Sequence, residues 1–253
     1  MRQVAVITGA SRGIGAATAR ELGARGHHVV VNYRGDTAAA EAVVKDVEEA
    51  GGTAHAAQAD VCDPDQAAHL VSECARIDVL VCNANIQPPL ASLGDMSWDA
   101  FSGKVMGELA AVFHVSKRAL EVMREQGTGR IVYISSVSAD RVRNGTIAHA
   151  TAKAALNVFA RHVAAEAVEH GISVNIVAPG VVRTDATRDV VTPELAAALG
   201  ERSVLGRVLV PEDVAKLIGS ITDGAFQAVS GAHILVDGGD EVLPPGRRRP
   251  VGS

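Results

Sequence analysis

Cysteine is scarce in this chain, with three residues in all, Cys62, Cys74 and Cys82. An odd number without the spacing of a zinc site supports neither a disulfide framework nor a metal centre, so reduced thiols and no metal are expected. Long apolar runs are lacking as well. No segment approaches the roughly 20 apolar residues needed to span a bilayer, and the N-terminus enters a strand without the charged and apolar regions of a secretory signal. A cytoplasmic protein with no membrane partner is expected. Excess basic charge is also missing: the formal net charge is −5, with the two signs interspersed. That gives no electrostatic reason to expect nucleic acid. The one basic cluster, Arg247, Arg248 and Arg249, falls in a Gly- and Pro-rich segment, 240–253, that reads as a flexible solvated tail.

What is present is a regular alternation. The chain has 253 residues, 47% of them hydrophobic, enough for one sizeable core in a single domain over 1–239. Short β-branched runs at Val4–Ile7, 29–31, Val79–Cys82, 131–134, 172–177 and 234–236 suit strands covered on both faces. Between them lie Ala-rich stretches, 37–50, 148–169 and Pro211–Thr222, whose composition favours helix. The pattern predicts an α/β fold: a doubly wound, Rossmann-type parallel sheet of about seven strands with helices on both faces. Right-handed crossovers then place the loops that follow the strands along one edge, where ligands bind.

The most specific local signal is TGASRGIG over 8–15, between the first strand and a helical pattern running to Gly26. Gly9, Gly13 and Gly15 permit a tight turn and let backbone approach a pyrophosphate, while the helix start offers unpaired N–H groups. A glycine-rich turn alone only changes chain direction; the strand before and the helix after make this one a dinucleotide loop, with Ser11, Arg12 and Ile14 as its other contacts. Cofactor choice turns on Asn32-Tyr33-Arg34 at the end of the second strand. An acidic residue there binds a ribose 2′-hydroxyl, whereas neutral Asn32, with Arg12 and Arg34 nearby, suits the 2′-phosphate of NADPH. The plainer reading of Arg34 is a surface charge.

The spacing Gly-x-x-x-Gly-x-Gly resembles the short-chain dehydrogenase/reductase family, and the resemblance extends over 4–239. Asp60-Val61 matches the family's adenine-contacting pair and Asn83-Ala84 its Asn-Ala-Gly segment. Val174-Asn175 leads into Pro179-Gly180, followed by Val182 and by Thr184 at the position that holds the nicotinamide carboxamide. Singly these are bland, since Asp60 suits a helix cap and Pro179-Gly180 an ordinary turn; their order carries the resemblance. Departures are Asn85 for the segment's glycine, Cys82 for an asparagine, and a stretch over 60–78 about one helical turn short. Asp78 reads as structural.

In the resembling family a hydride moves between nicotinamide and a carbonyl carbon. A serine binds the oxygen, a tyrosine supplies the proton, and a lysine holds the ribose and depresses the tyrosine pKa. Ser136 matches the serine and Lys153, 17 residues on, the lysine. Where the tyrosine belongs, four residues before the lysine, stands His149. The only two tyrosines, Tyr33 and Tyr133, have no such spacing. Residues i and i+4 share a helix face, so His149 and Lys153 can still enter one cleft. An imidazole of reference pKa ~6.5 beside an ammonium is expected to be mainly neutral. Three readings compete: a working general acid, a polarising donor with water completing the transfer, or lapsed catalysis. The family also places an asparagine on the preceding long helix, and counting back from Phe113 puts Glu108 there. Glu108 is expected to be an exposed helix charge.

Among family members the chain most resembles 3-oxoacyl-acyl-carrier-protein reductases. The resemblance implies an NADPH-dependent ketoreductase of a small-molecule or carrier-bound β-keto acyl substrate; the alternative is an impaired dinucleotide-binding homologue acting as a partner subunit. Arg124, Arg130 and Arg161 are available to meet an acidic carrier, with His170 where an arginine is often found; ordinary surface charge is the plainer reading. The segment 183–207 corresponds to a substrate lid whose Val190, Val191, Leu195 and Leu199 suit an acyl chain. A homodimer or homotetramer is expected through helices over 97–126 and 148–169, where Ala110, Ala111, Ala152, Ala155 and Ala160 allow close approach; alanines at contacts within the chain would look the same.

Overall fold

The computed structural model describes residues 2–243. Its strands are β1 (Val4–Ile7), β2 (His28–Tyr33), β3 (Thr53–Gln58), β4 (Val79–Cys82), β5 (Gly129–Ile134), β6 (Ile172–Pro179) and β7 (His233–Val236). They form one sheet in the order β3-β2-β1-β4-β5-β6-β7, every pair parallel. Successive side chains of a strand point to opposite faces, so each central strand feeds two cores. In β4, Val79 and Val81 join one layer and Leu80 and Cys82 the other. The first layer takes helices α1 (Gly13–Ala24), α2 (Thr37–Glu49) and α7 (Pro211–Thr222); the second takes α3 (Pro64–Ser72), α4 (Trp98–Gln126) and α5 (Ile147–Ala167). A shorter helix, α6 (Pro193–Glu201), lies between β6 and α7. This is the expected doubly wound sheet.

All six named strand runs are strands, several extended by one to three residues. The strand that composition hides is β3, whose sequence TAHAAQ lacks a β-branched run and pairs only with β2 at the sheet edge. Helix α4 starts where Ser97 Oγ accepts a hydrogen bond from Ala100 N and stops at Gly127, whose φ of +68° is left-handed. Asp78 is structural, accepting from Val4 N at 2.8 Å and bonding Arg76. The expected tail start at 240 is corrected: Asp240 takes hydrogen bonds from Arg141 Nη1 at 2.5 Å and from Arg202 Nε, fastening it to the loop after β5 and to the end of α6. Arg247, Arg248 and Arg249 lie outside the described residues. Among the described residues no helix is long and apolar enough to cross a membrane.

Tyr133 is fully buried on β5 and donates to Ser116 Oγ at 2.7 Å, with Phe159 edge-on at 5.9 Å. Its hydroxyl is therefore a core hydrogen bond, with no path to a substrate. Tyr133→Phe is expected to cost about 1 kcal/mol, the usual net worth of one such bond, read as a lowered urea midpoint at unchanged m-value.

Candidate active site

Because β2 and β4 flank β1 on opposite sides, the chain leaves a crevice at the ends of these strands, the usual ligand position in such sheets. It is a cleft of about 660 Å³. Gly9, Ser11, Arg12, Gly13, Ile14, Asn32, Tyr33, Arg34, Asp60, Val61, Asn83, Ala84 and Thr184 all line it, as the sequence predicts. Gly9 and Gly13 have φ of +61° and +57°, a left-handed conformation that only glycine adopts cheaply. Gly15 is closed in beneath the loop: a Cβ there would stand 2.5 Å from both Gly9 O and Asn83 Nδ2. The residue before α1, Arg12, gives the helix no side-chain cap, which leaves the first N–H groups to an anion. A glycine cradle, an uncapped helix start and the unpaired Arg12 fit a dinucleotide phosphate chain.

Several of the expected contact residues are also engaged within the chain. Asn32 is buried, donates to Ala57 O and Ala59 O, and accepts from Gly9 N at 3.3 Å. Its amide is engaged in bracing the glycine loop. Asn83 acts similarly, donating through Nδ2 to Thr8 O and Gly9 O at 2.9 and 3.0 Å. Val182 is buried in the core, where it forms an isolated parallel bridge with Leu209. Pro179 ends β6, and Gly180 lines a small neighbouring hollow with Val181 and Leu199. Sequence reasoning missed Asp36, Asn85, Ile86 and Gln87, which also line the cleft. Loop residues without a motif carry no signal of that kind.

The charges along the β2 edge are distributed unevenly. Asp36 caps α2 by accepting from Ala39 N at 3.0 Å, and Asp60 accepts from Cys62 N at 3.0 Å while lying 3.9 Å from Arg34. The Arg12 guanidinium makes no hydrogen bond or ion pair among the described residues.

At the end of β5, Ser135 is buried and donates to Asn157 Oδ1 at 2.6 Å, while Ser136 stays partly exposed and accepts from Ser138 N. Helix α5 presents His149 and Lys153 one turn apart. Lys153 Nζ donates to Ile134 O at 2.8 Å and to Glu108 Oε1. Glu108 is thus no exposed charge, contrary to expectation: it is wholly buried and binds Lys104 as well. His149 is half-buried, and its Nδ1 is sealed from solvent with no partner. Burial, then the Lys153 and Lys104 ammoniums, pull its pKa down to about 4 against the opposing pull of Glu108. Stability therefore falls as the pH drops from 6.5 towards about 4, since the unfolded chain takes up the proton first. Burial pushes the thiols of Cys62 and Cys74 up to about 11 and that of Cys82 to about 12, so none is a nucleophile near neutrality. Among the described residues no group of three or more side chains is placed to hold a metal.

A family model described as enoyl-(acyl carrier protein) reductase matches residues 9–240. The chain belongs to the short-chain dehydrogenase/reductase family. It is 38% identical over 242 residues to a 3-oxoacyl-[acyl-carrier-protein] reductase of Synechocystis, covering 94% of this chain and 96% of that protein. Versicolorin reductase 1 of Aspergillus parasiticus is 37% identical, over 94% and 95%. Among solved structures, acetoin dehydrogenase from Enterobacter cloacae superposes with a TM-score of 0.87 at 31% identity, over 98% of each chain.

The regions outside the cleft of this family member are more mixed. In the segment 183–207 Val191 is buried, whereas Val190 and Leu195 are 51% and 37% exposed. Of the arginines considered for carrier docking, Arg124 lies 3.8 Å from Glu166. Ala111, Ala152 and Ala160 are buried within the single chain, so they close α4 and α5 onto the sheet rather than onto a second copy. The exposed large apolar residues of these helices are Trp98, Met106 and Phe113 on α4 and Ile147 and Val158 on α5.

Proposed function

We propose that this member of the family is an NADPH-dependent ketoreductase that reduces the ketone of a β-keto acyl thioester. The observation that carries the cofactor reading is the unpaired Arg12, in one cleft with Arg34, where the carboxylates Asp36 and Asp60 are engaged by backbone N–H groups and Asp185 by Arg188. Two cations and no free acid favour a 2′-phosphate over a bare ribose hydroxyl. When bound, the reduced nicotinamide supplies the hydride. Arg12 and Arg34 would hold the 2′-phosphate, the N–H groups at the start of α1 the pyrophosphate, Thr184 the carboxamide, and Lys153 the ribose. Ser136 and His149 bind the ketone oxygen. At pH 7 the neutral imidazole outnumbers the charged form by about 1,000 to one at a pKa of about 4, so His149 acts as a hydrogen-bond donor through Nε2 and water completes the proton transfer. The β-keto thioester follows from likeness to the Synechocystis reductase and from the apolar lid residues. Assembly as a homodimer or homotetramer through the exposed face of α4 and α5, in the cytoplasm, belongs to the same reading.

A second reading, a dinucleotide-binding partner subunit without turnover, is favoured by one observation, the low pKa of His149. The cofactor assignment is tested by titration with NADPH and NADH. Arg12→Ala is expected to weaken NADPH binding by about 10- to 100-fold, the loss of one charge-assisted phosphate contact, and to leave NADH within about threefold. Equal losses for both dinucleotides would overturn the 2′-phosphate role.

A further inference from the structure

Between α4 and α5 lies a cluster of three charges shut off from solvent. The side chains of Lys104 and Glu108 are 0% exposed and that of Lys153 5%. Glu108 gives one carboxylate oxygen to Lys104 and the other to Lys153, and the Lys104 side accepts Ile86 N at 3.3 Å. Lys104 Nζ also donates to Asn85 Oδ1 at 2.8 Å and to Ile86 O at 2.7 Å. A continuous path therefore runs from the loop after β4, through Lys104, Glu108 and Lys153, to Ile134 O at the end of β5. Asn85 and Ile86 line the dinucleotide cleft, whereas Lys104 and Glu108 do not.

Stability alone does not call for such a cluster. Removing ions from water is expensive, and well-packed apolar residues in place of a buried ion pair are often neutral or stabilising. Two ammoniums against one carboxylate leave a net charge of +1 within electrostatic reach of His149. We propose that Lys104 and Glu108 are a compensating pair: Glu108 offsets one of the two buried ammoniums, Lys153 is thereby kept charged on Ile134 O, and what the site requires is the cluster's net charge of +1.

The balance of effects within the cluster agrees. Burial pushes the Glu108 carboxyl up, and the ammoniums of Lys153 and Lys104 together pull it down further, leaving it below its ordinary value. Burial pulls Lys104 down against the attraction of Glu108. The other titratable groups facing the cluster are His149 on α5, Cys82 on β4 and Cys62 on the loop before α3. With His149 down at about 4 and the thiols at about 11 and 12, none of them titrates near neutrality.

The test uses the whole chain in two measurements: nitrogen-15 NMR titration of the lysine ammoniums without ligand, and NADPH affinity against pH. Only the second rests on the cofactor reading above. Wild type is expected to show two exchange-protected ammonium signals and an affinity flat with pH between about pH 6 and 9. Glu108→Gln leaves two buried ammoniums uncompensated, so one should release its proton within that window, with NADPH binding about 10-fold weaker and newly pH-dependent. Lys104→Met together with Glu108→Gln restores the charge of +1 and is expected to bind within about threefold of wild type, with a flat profile. A Glu108→Gln chain that does not fold, beside a double variant that folds and binds, has the same meaning. The proposal is overturned if Glu108→Gln shows no new ammonium titration, or if the double variant fails to fold or binds no better than Glu108→Gln. A wild-type chain that binds no NADPH would sink the cofactor reading, and the ammonium titrations would still decide this one.

Discussion

Gly15→Ala is expected to abolish useful dinucleotide binding and to lower stability, although alanine is the better helix former by about 1 kcal/mol. The backbone at Gly15 is ordinary; contact decides the sign. The added Cβ would lie 2.5 Å from Gly9 O, 2.5 Å from Asn83 Nδ2 and 2.9 Å from Ala10 Cα. Two of these are backbone atoms of the cradle itself, and the third is an amide already holding Thr8 O and Gly9 O. Overpacking of this kind costs about 1–3 kcal/mol, enough to outweigh the helix gain. Relief requires the loop to move away from the helix start, which removes the surface that meets the phosphates. The expected result is a midpoint lowered by several degrees in thermal unfolding and an NADPH affinity down by about 100-fold. Wild-type values for both would show that the glycine packing does not shape the site.

The second large effect runs in the opposite direction. His149→Tyr is expected to raise the rate of ketone reduction by about 100-fold, because positioned proton donors contribute about 10²–10⁴-fold and neutral imidazole gives up its proton poorly. The phenol also reaches farther from the backbone, and a misplacement of ~1 Å can cost ~100-fold. The pH dependence separates the two remaining roles of the native residue. If imidazolium were the acid, the wild-type rate would climb as the pH falls towards about 4, where His149 takes up its proton. With His149 as a neutral donor, the wild-type profile is expected to be flat from about pH 6 to 8, and a stopped-assay rate profile reads this directly.

Much of this was legible in the residues. Strand–glycine loop–helix at 8–15 located the cleft, and the alternation of β-branched and Ala-rich segments predicted the sheet, because a buried parallel strand and an amphipathic helix leave different patterns. β3 was hidden by its alanines, whose preference for helix is overridden by pairing with β2. At Asn32, Asn83 and Val182 the sequence shows only position along the chain, whereas their hydrogen bonds to the glycine loop and burial depend on tertiary contacts. Glu108 shows the same limit more sharply. Lys104 and Glu108, four apart on α4, have the spacing of an ordinary surface pair, and only the approach of α5 with Lys153 buries them. The place of His149, four residues before Lys153, is plain in the sequence, while its depressed pKa follows from burial that no sequence pattern displays.

The most direct test of the account is NADPH consumption by the wild-type chain with a simple β-keto thioester at pH 7, with the hydroxyacyl product quantified. The account predicts slow, stoichiometric turnover that is lost in Lys153→Met and raised in His149→Tyr. NADPH binding without any wild-type turnover, with activity only in His149→Tyr, would contradict it and leave the partner-subunit reading.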